Sequence, residues 1–248
     1  MSSTTPVALI TGAAHRLGAQ TAQALHERGW NLVIHYRSRE EQANSLIAQM
    51  NRQRPDSACA LQADLSQTLD INRLASDAGA RWGRLDALVN NASVFYPTPT
   101  GDATEDDWKT ILNTNLRAPF FLLQACLTEL RRNRGSVVNL IDIYSERPID
   151  DHPLYCASKA GLAALTRSWA KDLAPEVRVN GVSPGAILWP EGEAEMDQSA
   201  QQAILQKTPL ARTGNPDDIA ETIAFLICDA PFITGQIISV DGGRSLNM

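Results

Sequence analysis

Short apolar runs alternate with longer amphipathic segments along the chain, and this alternation restricts the fold more than any other feature. Seven runs have the character of buried strands, at residues 7–11, 31–35, 58–63, 87–90, 137–141, 177–182 and 236–240. The segments between them have helical spacing of apolar residues, at 17–28, 40–52, 69–82, 105–132, 155–173 and 216–228. Strands that are apolar throughout and separated by helices are typical of a parallel sheet covered by helices on both faces. The sequence therefore predicts an α/β fold with a doubly wound, seven-stranded parallel sheet.

The same alternation bears on the number of domains, which the length of 248 residues leaves undecided between one and two. No linker or low-complexity stretch interrupts it, so we expect a single domain over residues 1–248. Only residues 186–213 depart from it, with little periodicity. A structureless stretch of that length in an α/β domain is typical of a lid, and we expect its acidic part, 191–197, to be mobile.

Charge and composition exclude several classes of protein. The net charge is −6 without a long run of either sign, so we expect no binding to nucleic acid or to an anionic membrane. The longest apolar run, around residues 120–123, is far shorter than the roughly 20 residues of a membrane helix. The first residues lack the basic segment of a signal peptide, and we expect a cytoplasmic protein.

The cysteines and histidines indicate neither disulfides nor metal ligands. Cys59, Cys126, Cys156 and Cys228 are widely spaced in mostly apolar contexts, which favours reduced, buried thiols. The four histidines have no spacing typical of metal ligands, so we expect no metal.

A glycine-containing turn, TGAAHRLG at 11–18, joins the first predicted strand to the first predicted helix. Glycines at this junction let backbone N–H groups approach a pyrophosphate at the helix N-terminus, whose dipole favours anions. The turn therefore predicts a dinucleotide site. It resembles the TGxxxGxG turn of short-chain dehydrogenases/reductases, with Arg16 in place of the middle glycine, as in the TGxxxRLG turn of the pteridine reductase subgroup.

The residues after the second predicted strand favour NADPH. An acid normally follows this strand and binds the ribose 2′-hydroxyl of NAD, whereas here Tyr36, Arg37 and Ser38 follow it. A cation and a hydroxyl suit a 2′-phosphate, and His15 and Arg16 on the neighbouring turn add positive charge. A solvated basic turn without function is the alternative.

The resemblance implies further cofactor contacts. Asp64 resembles the acid that contacts the adenine, the NNA turn at 90–92 resembles the family NNAG turn, and the PG turn at 184–185 resembles the one near the nicotinamide carboxamide. The residues expected at the cofactor are Gly12, His15, Arg16, Leu17, Gly18, Tyr36, Arg37, Ser38, Asp64, Leu65, Asn91, Ala92, Tyr155, Lys159, Pro184, Gly185 and Ile187.

Tyr155 and Lys159 lie four residues apart at the start of a predicted helix, so their side chains share one face. A phenol with a pKa of about 10 is a poor acid at neutral pH, and a neighbouring ammonium group is expected to lower that pKa. In this position after the fifth strand the pair resembles the catalytic YxxxK of the family. The resemblance implies that Tyr155 donates a proton and that Lys159 also holds the ribose.

Asp142 stands thirteen residues before Tyr155, where the family usually has a serine. The same replacement occurs in the pteridine reductases, and a carboxylate is better suited to orient and recharge the tyrosine than to donate to a ketone oxygen. A purely structural Asp142 at the strand end is the alternative. Asn115 resembles the family asparagine that holds the active-site lysine through water.

The segment NNASVFYPTP at 90–99 resembles the pteridine reductase segment NNASxFYPTP. A flat bicyclic ring stacks well on an aromatic face, so Phe95 is expected to form one wall of a pterin pocket. The alternative is an aromatic loop that packs on its own prolines. The substrate-binding residues implied are Arg16, Ser93, Phe95, Asp142, Tyr155 and Leu188.

The sequence is therefore identified as that of a Rossmann-type short-chain reductase, closest in its motifs to the pteridine reductases. The resemblance implies NADPH-dependent hydride transfer to a C=N bond of a dihydropterin such as dihydrobiopterin, of dihydrofolate or of an oxidised pterin. The cofactor half is expected at about 1–140, and catalytic and substrate elements at about 91–99 and 141–248. Family members are usually tetramers, which implies a homotetramer formed by the helices before and after Tyr155. The alternatives are a reductase of a ketone or 3-oxoacyl thioester and a non-catalytic NADPH sensor.

Overall fold

One sheet of parallel strands forms the centre of the fold in the computed structural model, which describes residues 4–189 and 197–248. Its strands are β1 (Val7–Ile10), β2 (Asn31–Tyr36), β3 (Ala58–Gln62), β4 (Ala87–Asn90), β5 (Ser136–Leu140), β6 (Arg178–Pro184) and β7 (Ile237–Val240). Their order across the sheet is β3-β2-β1-β4-β5-β6-β7, and every neighbouring pair is parallel. The predicted α/β fold with a seven-stranded parallel sheet is confirmed.

Helices cover the sheet on both sides. They are α1 (Arg16–Glu27), α2 (Glu40–Gln53), α3 (Thr68–Arg81), α4 (Glu105–Leu112), α5 (Ala118–Arg132), α6 (Pro153–Asp172), α7 (Gln198–Gln206) and α8 (Pro216–Cys228). Leu25, Leu46 and Ile223 bring α1, α2 and α8 into one apolar core, and α3, α5 and α6 contribute to a second core on the opposite face. Among the described residues, no helix has both the length and the apolar character needed to cross a membrane.

The order of the strands places a crevice at the carboxyl end of the sheet. β1 is hydrogen-bonded to β2 on one side and to β4 on the other, so the chain winds away from β1 in both directions. In open parallel sheets, ligands bind outside the carboxyl ends of the strands at such a reversal. The loops that follow β1, β2 and β4 therefore meet at one place.

The helix predicted over 105–132 is interrupted. α4 and α5 are joined by a π-helical turn over Asn113–Arg117. Single turns of this kind occur frequently at functional sites. Here the turn carries Asn115, whose side chain is buried.

The prediction that residues 186–213 lack regular structure is wrong for α7. Its first turn is capped by Asp197, whose side chain accepts a hydrogen bond from the backbone N–H of Ala200. No residue of α7 is fully buried, and the helix has only nine residues. Its apolar pattern is therefore too short to be recognised as a helix within a segment of little periodicity. Residues 190–196, which include most of the acidic stretch expected to be mobile, lie outside the described residues.

Candidate active site

A groove of about 380 Å³ lies at the carboxyl ends of β1, β2 and β4. The expected cofactor residues that line it are Gly12, His15, Arg16, Leu17, Gly18, Tyr36, Arg37, Ser38, Asp64, Leu65, Asn91 and Ala92. The remaining expected residues, Tyr155, Lys159, Pro184, Gly185 and Ile187, do not line it. Ile187 lines a second cavity of about 550 Å³, which also contains Arg212 and Asp241. The groove thus brings together the residues expected around the adenosine and phosphates. The other expected residues lie on α6, at the end of β6 or directly after β6.

The turn after β1 packs directly against the turn after β4. Gly12 has a φ of +60°, in the left-handed region. A Cβ atom on Gly18 would lie 2.5 Å from Nδ2 of Asn91 and 2.7 Å from the carbonyl oxygen of Gly12. Asn91 Nδ2 donates to that same oxygen at 3.0 Å and to the carbonyl oxygen of Thr11 at 2.8 Å. The two glycines therefore allow the turn after β1 to pack closely against the loop after β4, where a side chain at either position would clash.

Arg16 also adopts a left-handed conformation, with a φ of 53°, although it carries a side chain. Its Nη2 donates to the carbonyl oxygen of Trp189 at 2.9 Å. This bond ties the turn after β1 to the segment after β6. In this structure Nη2 of Arg16, which we expected to bind the pterin or the phosphates, is therefore hydrogen-bonded to a main-chain carbonyl oxygen.

His35 belongs to the groove but was not predicted. Its Nδ1 accepts a hydrogen bond from the backbone N–H of Gly12 at 3.0 Å, and its Nε2 donates to the carbonyl oxygen of Ala63 at 3.1 Å. Burial lowers the pKa of this imidazole to about 4. His35 is therefore neutral and positions the first residue of the glycine turn. The signal in the sequence that could have indicated this role is a histidine directly after the apolar residues Leu32, Val33 and Ile34 of a predicted strand.

Tyr155 and Asp142 form the centre of the candidate catalytic group. The hydroxyl of Tyr155 donates to Oδ2 of Asp142 at 2.7 Å. The other carboxylate oxygen, Oδ1, accepts a hydrogen bond from the backbone N–H of Tyr144 at 2.9 Å. Asp142 follows β5 and caps a short 3₁₀ turn over Ile143–Ser145, so the end of the strand fixes the carboxylate against the first turn of α6.

Lys159 lies one helical turn further along α6. Its Nζ donates to the carbonyl oxygen of Leu140 at 2.9 Å and lies 5.7 Å from the ring centroid of Tyr155. Burial lowers the pKa of this ammonium group to about 8. A substantial fraction of Lys159 is therefore neutral at a mildly alkaline pH.

The pKa of Tyr155 is shifted in the direction opposite to the prediction. Burial raises it well above its usual value, and the neighbouring carboxylate of Asp142 raises it further. Burial also raises the pKa of Asp142, against the opposing effects of its hydrogen bonds and of Lys159 and Arg244. The prediction that Lys159 lowers the pKa of Tyr155 considered only the ammonium group, whereas burial and the nearer carboxylate dominate in the fold.

Asn115 connects the loop after β4 to α6. Its Oδ1 accepts hydrogen bonds from the backbone N–H of Val94 at 2.8 Å and from Oγ of Ser93 at 3.2 Å. Its Nδ2 donates to the carbonyl oxygen of Val94 at 2.9 Å and to Oγ of Ser158 at 3.1 Å. The side chain thus holds the loop against the helix that carries Tyr155, and the expected water-mediated link to Lys159 stays a prediction.

Phe95 reaches the candidate catalytic group from the loop after β4. Its ring centroid lies 4.6 Å from that of His152, with the rings nearly parallel at 12°. It lies 4.7 Å from the centroid of Tyr155, with the rings at 80°. His152, which was not predicted, therefore occupies one face of the expected aromatic wall. Leu188 is 38% exposed and lies next to Trp189, to which Arg16 is bonded.

Comparisons with known proteins agree on the family but differ in substrate. The family described as enoyl-(acyl carrier protein) reductase matches residues 12–245. The chain is 36% identical to pteridine reductase 1 of Leishmania tarentolae, over 99% of this chain and 98% of that protein. It is 34% identical to the 3-oxoacyl-[acyl-carrier-protein] reductase FabG of Staphylococcus aureus (strain N315), over 96% of this chain and 98% of that protein. Because these similarities are nearly equal in size, they do not choose between a pterin and a ketone.

Proposed function

The chain belongs to the short-chain dehydrogenase/reductase family of NAD(P)-dependent oxidoreductases, and from this premise we propose that it is an NADPH-dependent pteridine reductase. The substrate would be a dihydropterin, dihydrofolate or an oxidised pterin. The reaction adds a hydride to the carbon of a C=N bond and a proton to its nitrogen.

The hydrogen bond from Tyr155 to Asp142 carries the proposal. A ketone oxygen is bound best by two hydroxyl donors, and a serine at position 142 would supply the second one. A carboxylate at 2.7 Å from the Tyr155 hydroxyl accepts instead of donating. A tyrosine paired with a carboxylate suits a substrate nitrogen that must receive a proton. Tyr155 would donate the proton to that nitrogen, and Asp142 would supply Tyr155 with another one.

The residues present fit a dinucleotide. Gly12 and Gly18 of the turn after β1 line the groove where the pyrophosphate would lie, and Arg37 and Ser38 line it where a ribose 2′-phosphate would lie. Lys159 would hold the nicotinamide ribose, and Pro184, Gly185 and Ile187 would lie along the nicotinamide. When bound, NADPH supplies the hydride.

Tyr155, Asp142 and Lys159 would each have a separate role in the transfer of the proton. The raised pKa of Tyr155 keeps its phenol protonated at neutral pH, so the residue enters the reaction with the proton that it donates. Asp142, with its raised pKa, can hold a second proton and return it to the Tyr155 oxygen through their short hydrogen bond. Lys159 places a positive charge beside the ring of Tyr155, which stabilises the transient phenolate.

In this proposal the face of Phe95 that His152 does not cover would bind the pterin ring, with Ser93, Arg16 and Leu188 at its edges. We also infer a homotetramer in which α5 and α6 form an interface. Phe120 and Phe121 support this assignment, because they leave 39% and 36% of their surface exposed on α5.

One relative favours a second function, the reduction of a 3-oxoacyl thioester. FabG of Staphylococcus aureus matches almost the whole chain, and its name describes that activity. One assay separates the candidate functions. The oxidation of NADPH is followed by its absorbance with 7,8-dihydrobiopterin, dihydrofolate, an acetoacetyl thioester or no substrate. We expect turnover of the pterins and its loss in Tyr155→Phe. Turnover of the thioester alone would overturn the proposal, and cofactor binding without any turnover would favour a sensor.

A further inference from the structure

Arg244 is a buried cation for which the proposed reaction has so far no use. It follows the turn after β7, where the backbone N–H of Arg244 donates to the carbonyl oxygen of Asp241 at 3.2 Å. Only 7% of the residue is exposed. Removing a guanidinium group from water is costly unless other groups compensate it, so its position requires an explanation.

The guanidinium group has few compensating contacts. Its Nη2 donates to the hydroxyl of Tyr144 at 3.3 Å, and its central carbon lies 5.9 Å from the Tyr144 ring centroid. Its Nε and Nη1 atoms have no hydrogen-bond partner within the part of the chain that the structure describes. Within the described residues no carboxylate pairs with these two nitrogens, so their positive charge is available to act on neighbouring groups.

Asp142 is the carboxylate on which this charge acts. The backbone N–H of Tyr144 donates to Oδ1 of Asp142, so the residue that holds Arg244 also holds the carboxylate. The charge of Arg244 counters the effect of burial on the pKa of Asp142. The titratable and charged groups that face Asp142 are Tyr144 from the 3₁₀ turn, Tyr155, Cys156 and Lys159 from α6, and Arg244 from the C-terminal turn.

Of these groups, Arg244 supplies the only charge that does not change with pH. Lys159 has a pKa of about 8 and loses its charge as the solution becomes alkaline. A guanidinium group stays protonated at every pH at which the protein is folded. The effect of Arg244 on Asp142 is therefore constant, whereas the effect of Lys159 fades.

We propose that Arg244 is a positioning residue whose fixed positive charge lowers the pH at which Asp142 releases the proton that it returns to Tyr155. The proposal rests on the roles assigned above to Asp142 and Tyr155. It adds to the proposed catalytic group a residue that follows β7 and belongs to none of the sequence motifs described above.

Infrared spectroscopy measures the predicted effect without any substrate. The carbonyl stretch of a protonated carboxyl group is followed against pH, and the contribution of Asp142 is identified as the band that Asp142→Asn lacks. In Arg244→Met this band should persist to a higher pH than in the wild type, because a compensating charge has been removed. Arg244→Lys keeps a positive charge at neutral and acidic pH. In this variant the Asp142 band should therefore have the same midpoint as in the wild type.

The pH profile of kcat/KM should shift in the same direction if the pteridine reductase activity is found. We expect the kcat/KM of Arg244→Met, divided by that of the wild type, to change at least about threefold between the two ends of the pH profile. A displacement of the profile by about half a pH unit produces a change of this size. Because the infrared measurement needs no turnover, failure of the proposed activity and failure of this inference are separate results.

Arg178→Met is the matched control. Arg178 is also partly buried, but it donates to the carbonyl oxygens of Leu226 and Ile227, at the end of α8. Its loss should lower the melting temperature without moving the Asp142 band. Arg244→Gln provides a second neutral variant if the methionine variant does not fold. An unchanged midpoint in either neutral variant would overturn the inference, and so would an equal shift in Arg244→Lys, since the charge would then not be the cause.

Discussion

Replacing His35 by asparagine tests whether one buried imidazole makes the stability of the fold depend on pH. In the folded chain, burial lowers the pKa of His35 from 6.5 to about 4. As the pH falls through this window, the unfolded chain takes up a proton that the folded chain does not bind. The free energy of unfolding therefore falls from about pH 6.5 to about pH 4 and levels off below, which is the sign for a base whose pKa is lowered by folding.

The size of the effect follows from the same shift. The difference between 6.5 and about 4, at 1.36 kcal/mol for each pKa unit, corresponds to about 3 kcal/mol. An asparagine amide can donate and accept but does not titrate in this range. At pH 8 we expect His35→Asn to be less stable by about 1 to 2 kcal/mol, because the bonds to Gly12 and Ala63 are not reproduced in full.

Urea unfolding followed by tryptophan fluorescence, at several values between about pH 4 and pH 8, measures both quantities. All other titrating groups are common to the two proteins, so the difference between their curves isolates His35. The free energy of the wild type should fall by about 3 kcal/mol more than that of the variant as the pH falls. Parallel curves would refute the reasoning, since the imidazole would then titrate alike in the folded and unfolded chains.

Three further substitutions test the candidate site. Asp142→Ser should depress pterin turnover at least about tenfold, because the Tyr155 hydroxyl loses a charge-assisted hydrogen bond; steady-state kinetics at the wild-type level would reduce Asp142 to a structural residue. Arg37→Asp should lower the preference for NADPH over NADH by about 10- to 100-fold, the value of a hydrogen bond to a charged phosphate; an unchanged ratio of kcat/KM would show that the 2′-phosphate lies elsewhere. Gly18→Ala should destabilise the protein by about 1 to 3 kcal/mol and weaken cofactor binding measured by fluorescence titration, because the new Cβ would lie 2.5 Å from Asn91 Nδ2. Gly101→Ala is its matched control, since nothing lies within 4 Å of a Cβ there, and equal losses in both variants would exclude the steric explanation.

Local features of the sequence were sufficient for the elements that determine the fold. Strands such as β1 and β5 are buried along their whole length and therefore consist of continuous apolar runs. α7 could not be predicted in this way, because its nine residues give too short an apolar pattern and none of them is fully buried. The assignment of the chain to a single domain stays a prediction.

The sequence by itself determined which residue types surround the groove, because their positions are tied to the ends of strands. Gly12 and Asn91 follow β1 and β4, and the resemblance of their turns to family motifs predicted that both contact the cofactor; that β1 and β4 are neighbours came from the structure. Asp142 and Tyr155 were assigned through the resemblance to the family YxxxK motif and the spacing of thirteen residues. Each of these predictions depends on a short-range pattern in the sequence.

Only the tertiary structure decided the electrostatics of the site. The pKa of Tyr155 rises, against the prediction, because burial and the carboxylate of Asp142 raise it, whereas the prediction considered only the neighbouring ammonium group. Arg244 and Tyr144 are one hundred positions apart in the chain, yet their side chains meet beside Asp142. Burial and contacts of this kind depend on how distant segments pack around a point, and no local spacing of residues encodes them.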